Sequence, residues 1–445
     1  MKLDYKKTFL IGFGFFATTV WVIYNTYVPI FLTPLTAGWK IGNWQLGSLA
    51  VGTIMVIDNI FGVIFQPFFG SLSDRTRSRY GKRMPFILIG IPVCALVFAL
   101  IPTASSSLFW LMFVIILFTF GMSTWRSQVV ALMPDLTPAP LRSKANGVIN
   151  MMGGIGGIIA FFAGGAIFSM TNKNPQIVDG VKVFNYNAPF WLGSVVMLLA
   201  LVVLFFFVKE PSSLNLEQVI KKHEKTKEKL ELDKGEKKSL LLILIAIFLW
   251  FTGYNAIETF FSKYCTEILI DSATQEHLTG GQASILLGVF SASLAIFAIP
   301  AGILGGKIGR KKTILIGLAG ITCIFVPLFF IQQVTLLYGL LFLSGMFWAF
   351  VNINSLPMVV ELAGAKHIGA FTGYYYTFSF SSAVVSPILF GLLMTLTKDN
   401  YGLMFIYAAV AFIIAIGCIA FVKHGESVTP EHRLTTEQVM GMQED

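Results

Sequence analysis

Long apolar runs separated by short polar connections occupy this chain from residue 8 to residue 422. A helix needs about 20 predominantly apolar residues to cross the hydrocarbon core of a bilayer. Twelve runs meet that length, at 8–32, 44–71, 85–102, 108–134, 146–170, 188–208, 239–262, 282–305, 313–331, 335–358, 370–396 and 402–422. The pattern predicts an all-α membrane protein of twelve spanning helices with both termini on one side. Between the second and third runs, GSLSDRTRSRYGKRMPFI (residues 70–87) crowds Asp74, Arg75, Arg77, Arg79, Lys82 and Arg83 into one short connection. So cationic a loop sits in the cytoplasm by the positive-inside rule, which places both termini there too.

A weaker copy of that loop, GILGGKIGRKK (302–312), lies between the eighth and ninth runs. Other landmarks repeat in the same order. Tyr24-Asn25 recurs as Tyr254-Asn255 at an offset of 230, Gly70 as Gly302 at 232, and Asp135 and Gly147 as Glu361 and Gly373 at 226. The chain therefore reads as a duplication. An N-terminal six-helix half covers residues 1–208, and a C-terminal half covers 239–424. A charged cytoplasmic linker of mixed Lys and Glu (209–238) joins them, and a cytoplasmic tail (425–445) follows. Paired six-helix halves place a solute site near the membrane midplane and expose it alternately by rocking.

Composition agrees with a membrane protein: 55% of residues are hydrophobic and 12% charged, against about 25% charged in soluble domains. The net charge of +9 is concentrated in the predicted cytoplasmic connections, so it reports topology rather than a nucleic-acid surface. The cysteines at 94, 265, 323 and 418 stand singly in or beside apolar runs, which predicts neither a disulfide nor a metal site. The apolar run after Lys2, Lys6 and Lys7 lacks a small-residue cleavage site and reads as a retained first helix. Glycines 153, 154, 156, 157, 164 and 165 form a small-residue packing face in the fifth helix. No nucleotide loop, nucleophile elbow or HExxH helix is present, and the expected chain is not an enzyme.

An ionisable group inside a membrane is costly and marks a functional position by default. Asp58 lies at the middle of the second run and is too short to reach water. It is a candidate coupling group that accepts a proton, or an acceptor for sugar hydroxyls; a structural ion pair with another helix is the alternative. Arg126, about 12 Å inside the fourth helix from its cytoplasmic end, suits either solute binding or pairing with a carboxylate. Glu258 near the outer end of the seventh run is a second coupling candidate, with a plain interfacial carboxylate as the alternative. Asn25, Asn255, Gln128, Asn352 and Asn354 sit in apolar surroundings, where an amide needs a partner. Tyr24, Tyr27, Tyr254, Trp348 and Tyr374-Tyr375-Tyr376 offer faces on which a pyranose could lie, although packing accounts for most such rings.

Gly70, Asp74, Arg75, Gly81, Lys82 and Arg83 match the signature loop of the major facilitator superfamily, which the chain resembles. The form GxxSDRxxSRxGKRxPFI, with Gln66-Pro67 before it and Asp135-Leu136 after the fourth helix, is similar to the sucrose-transporter branch related to the glycoside-pentoside-hexuronide:cation symporters. The resemblance implies a fold of two pseudo-symmetric six-helix halves in which helices one, four, seven and ten line a central cavity. It implies Asn25, Tyr24, Arg126, Gln128, Tyr254, Asn255, Trp348, Asn352 and Tyr375 as the solute-binding set. It implies gating by Asp74, Arg75, Arg83, Asp135, Arg310 and Glu361, with Asp74 holding the outward-facing state. It also raises Glu258, since the branch has an acid in that part of the helix. Two departures matter: Gly62 and Gln66 stand where melibiose-type symporters have sodium-binding acids, and sucrose carriers have an arginine near Val130 instead of Arg126.

The expected protein is a monomeric, multi-pass carrier of the cell membrane that takes up a sucrose- or maltose-type glucoside with a proton, needs no cofactor or metal, and contacts the lipid bilayer but no nucleic acid. The alternatives are sodium-coupled or facilitative transport of another sugar, uronide or small organic solute, and a non-transporting receptor built on the same fold.

Overall fold

The computed structural model describes residues 4–36, 38–41, 44–137, 142–178, 181–210, 233–271, 274–362 and 368–425. Most of the linker expected at 209–238 and of the tail expected at 425–445 lies outside the described residues. The elements in the first half are α1 (Tyr5–Ala17), α2 (Val20–Thr36), α3 (Gly47–Met55), α4 (Ile57–Arg75), α5 (Met84–Leu100), α6 (Leu108–Leu136), α7 (Arg142–Thr171) and α8 (Asn187–Phe207). Those of the second half are α9 (Lys234–Glu267), α10 (Gly280–Ile308), α11 (Arg310–Leu328), α12 (Val334–Glu361), α13 (Ile368–Thr397) and α14 (Leu403–Ala420). They provide twelve helical stretches long and apolar enough to span a membrane, because α1 with α2 and α3 with α4 each build one span. The fold is an all-α bundle of twelve such spans, as the sequence predicts.

The first two spans are broken, whereas their repeat counterparts α9 and α10 run unbroken for 34 and 29 residues. At the first break the Thr18 hydroxyl donates to the Phe15 carbonyl at 2.7 Å. A short polar side chain that bonds its own backbone competes with the helical ladder. At the second break, Val56 separates α3 from α4 and places Asp58 in the first turn of α4. A helix N-terminus favours negative charge, so the break gives this buried carboxylate a favourable partner. The ends of α9 and α10 are secured by capping boxes, Asp233 with Glu236 and Thr279 with Gln282.

The two basic loops share one local geometry. Gly81, three residues before α5, and Gly309, immediately before α11, adopt φ of +98° and +97°, a conformation that favours glycine. These loops define one face of the molecule, called the loop side below. On the opposite, far side the halves close on one another. Ser284 donates to the Phe161 carbonyl at 2.8 Å, and Gly165 and Gly281 bring α7 and α10 into backbone contact. On the loop side the helices part, leaving two cavities of about 790 Å³ and 780 Å³.

Candidate functional site

Between the two halves a central cavity of about 260 Å³ is lined by Asn25, Asp58, Arg126, Tyr254, Asn255 and Glu258, together with Trp21, Asn59 and Ser379. The structure thus brings together three ionisable groups that the sequence scatters over 200 residues. Asn25 Nδ2 donates to Glu258 Oε1 at 3.3 Å and links the halves at mid-span. The Arg126 guanidinium stands 5.7 Å over the Trp21 ring, a cation–π distance. Asp58 accepts from Asn59 Nδ2 at 3.0 Å and lies within electrostatic range of both Arg126 and Glu258. Asn255 donates to the Phe251 carbonyl at 2.7 Å and to Ser382 Oγ at 3.3 Å.

Glu258 is deeper than its distance from Lys263 suggests. α9 continues nine residues past it to Glu267, which sets the carboxylate at the cavity and away from the membrane edge. Lys263 itself is only 2% exposed. On the far side its Nζ donates to the Tyr401 hydroxyl at 2.6 Å. Burial pushes the Tyr401 hydroxyl above its ordinary pKa and keeps it protonated. Tyr401 therefore donates onward to Ser48 Oγ at 2.7 Å, and Ser48 donates to Asp399 Oδ1 at 2.5 Å. This chain of hydrogen bonds ties α9 and the turn before α14 to the start of α3, across the boundary between the halves. Sequence reading missed it because a lysine close to a helix end normally reaches out to the interface.

Two larger cavities open from the centre towards the loop side. One, between α4 and α13, is lined by Asp58, Asn59, Gln66, Arg126, Tyr376 and Thr377. The other, between α7, α10 and α12, is lined by Tyr254, Glu258, Phe290, Trp348 and Asn352. Tyr254 and Trp348 are stacked at 4.8 Å and 4°. Three expected solute-binding residues lie elsewhere. Tyr24 is fully buried and stacked on Phe118 at 5.7 Å. Tyr375 is buried against Ser355 at 3.2 Å, while its neighbour Tyr376 lines the cavity. Gln128 accepts from Arg83 Nη1 at 3.1 Å.

Gln128 therefore belongs to the cluster at the signature loop. There Arg83, 6% exposed, donates to Asp135 at 2.9 Å and to Asp74 at 2.6 Å, and Lys82 approaches Asp135 at 3.1 Å. Glu210, which the sequence assigns to the linker, caps the N-terminus of α5. Its carboxylate accepts from the backbone N–H of Lys82 at 2.9 Å, Arg83 at 2.9 Å and Met84 at 3.1 Å. Arg75 is exposed. In the second half Arg310 pairs with Glu361 at 2.9 Å, in the position that Lys82 and Asp135 hold in the first.

The profile of the Major Facilitator Superfamily matches residues 8–272 and 268–439. Tetracycline resistance protein, class E, of Escherichia coli is 23% identical over 390 residues, covering 87% of this chain and 89% of that protein. Sucrose transport protein SUC3 of Arabidopsis thaliana is 27% identical over 178 residues, which are 34% of this chain and 29% of that protein. Among solved structures, the nucleoside transporter NupG superposes with a TM-score of 0.69 at 13% identity, over 94% of this chain and 100% of that one.

Proposed function

The chain belongs to the Major Facilitator Superfamily, and we propose that this transporter carries a sucrose- or maltose-type glucoside together with a proton. The observation that carries the reading is the charge content of the central cavity: two carboxyl groups, Asp58 and Glu258, against one guanidinium, Arg126. Fully ionised, the set has one negative charge in excess at mid-span, where an uncompensated charge is costly. One bound proton balances it. Asp58, which lines both the central cavity and the arm that opens from it to the loop side, is the group to which we assign that proton.

Hydroxyl recognition falls to Asn25, Asn255 and Glu258, with Arg126 completing the polar set. Tyr254, stacked on the buried Trp348, supplies apolar surface at the edge of that polar set. The partial likeness to a sucrose transport protein supports the solute class. Gly62 and Gln66, one and two turns along α4 from Asp58, add no carboxylate to the cavity beside it. A hard cation such as sodium needs several oxygen ligands, so the site suits a proton better.

With the loop side in the cytoplasm, as the positive-inside rule places it, the conformation described is open inwards and closed outwards. Proton and sugar drive each other only if both favour the same conformational step, which makes transport a coupling of two binding free energies. One observation favours a second reading. The likeness to a tetracycline resistance protein spans most of both chains, which supports export of an amphipathic compound in exchange for a proton.

Proteoliposomes separate the two. Under an imposed inward proton gradient, symport accumulates labelled maltose or sucrose, and a sodium gradient or no gradient does not. Maltose and sucrose that stay outside under all three conditions overturn the sugar reading.

A further inference from the structure

The two loop-side cavities are repeat-related, since α4 corresponds to α10 and α13 to α7. At the offset of 232 shared by Gly70 and Gly302, Asp58 corresponds to Phe290. At the offset of 226 shared by Asp135 and Glu361, Arg126 corresponds to Asn352. Asp58 and Arg126 line the cavity between α4 and α13, and Phe290 and Asn352 line its counterpart between α7, α10 and α12. The duplication has therefore produced one arm that keeps both charges and one that has an aromatic ring and an amide in their place.

The difference extends to the backbone. The spans that carry Asn25 and Asp58 are each broken, at Thr18–Thr19 and at Val56, whereas α9 and α10 pass the second arm without interruption. In that arm the half-buried rings of Tyr254 and Phe290, 6.3 Å apart, present the apolar surface, and Trp348 is buried behind Tyr254, stacked on it at 4.8 Å. Glu258 and Tyr254 line both this arm and the central cavity, so the two are continuous. Its volume of about 780 Å³ falls in the range of pockets that enclose a drug-sized ligand, about 300–1,000 Å³.

We infer that the arm between α7, α10 and α12 is a subsite for an apolar group attached to the sugar, so that the solute is an amphipathic glycoside. The hydroxyl-rich ring sits among Asn25, Asn255 and Glu258, the apolar aglycone lies against Tyr254 and Phe290 with Trp348 behind them, and the proton is handled in the opposite arm. This inference rests on the sugar reading above and deepens it.

Matched glucosides test it. Binding of methyl and phenyl glucoside, in both anomers, is measured by calorimetry on the full chain in nanodiscs. The phenyl compound binds on the order of tenfold tighter or more, from the apolar area its ring buries. Ala295→Phe and Ser291→Phe fill the arm from α10; either one, provided it is folded, removes the phenyl advantage and leaves methyl glucoside binding within about twofold. Equal affinity of methyl and phenyl glucoside in the native chain overturns the subsite while leaving sugar transport intact. A phenyl advantage that persists in both filled variants overturns its placement. Failure of every glucoside, alongside binding of the apolar cation tetraphenylphosphonium, overturns the sugar reading and the inference together.

Discussion

Asn25 and Glu258 meet at mid-span across the boundary between the halves, the amide nitrogen 3.3 Å from the carboxylate oxygen. The bond joins the first span of one half to the first span of the other, in the lining of the central cavity. Any solute held by both residues therefore touches both halves.

A hydrogen bond to a charged group contributes about 1.5–3 kcal/mol. Glu258→Gln keeps the side chain's size and removes its charge, and Asn25→Ala removes the donor. Each single variant weakens sugar binding by about tenfold or more. Because the two residues share one interaction, the double variant is weaker than either single by far less than the product of their effects. Equilibrium binding of the four proteins of this cycle checks it; fully additive losses contradict the shared role.

The signature loop is held by a buried base. Arg83 is 6% exposed and contacts Asp74, Asp135 and Gln128. Arg83→Ala leaves Asp74 and Asp135 partly exposed with Lys82 still beside them, so the cost is that of the lost charged hydrogen bonds, about 1.5–3 kcal/mol, and the Tm falls by several degrees in a thermal-shift assay. Arg75→Ala, at an exposed position, changes stability by less than about 0.5 kcal/mol.

Gly81 makes room for Glu210. A Cβ at position 81 would collide with the Glu210 carboxylate, and the backbone there has φ of +98°. Gly81→Ala therefore destabilises by about 1–3 kcal/mol. Glu210→Ala, which removes an acceptor from three backbone N–H groups at the start of α5, costs about 1–2 kcal/mol. Thermal unfolding of each variant gives the comparison.

On the far side, Lys263, Tyr401, Ser48 and Asp399 hold the halves together through the tyrosine hydroxyl. Tyr401→Phe deletes that hydroxyl and weakens the closed face by about 1.5 kcal/mol, or about tenfold in population. In a background with the native cysteines replaced, a cysteine at Asn255 in the central cavity reports access. An impermeant thiol reagent applied from the far side labels it severalfold faster in the Tyr401→Phe protein, and unchanged labelling contradicts a latch.

The spans and the duplication are legible in the sequence because apolar length and recurring landmarks survive without any knowledge of contacts. Asp58, Arg126 and Glu258 stand out for the same reason: charge within an apolar run is conspicuous in one dimension. Orientation is not. Tyr24 and Asn25 are adjacent in the chain, yet Asn25 reaches the cavity while Tyr24 turns into the packing against Phe118. Gln128 is two residues from Arg126 and serves the loop cluster. Neutral polar and aromatic residues satisfy a buried partner as readily as a solute, so only the three-dimensional face decides between them. The helix breaks at Thr18 and Val56 carry no proline to announce them.

The measurement closest to the central claim is proton movement evoked by sugar. Proteoliposomes with no imposed gradient receive maltose or sucrose outside, and external pH is followed. Coupled uptake makes the medium more alkaline as each sugar entering takes a proton with it. Asp58→Asn abolishes that alkalinisation while leaving sugar exchange across the membrane. An undiminished pH change in Asp58→Asn, or sugar entry in the native protein with no pH change, would contradict proton coupling through Asp58.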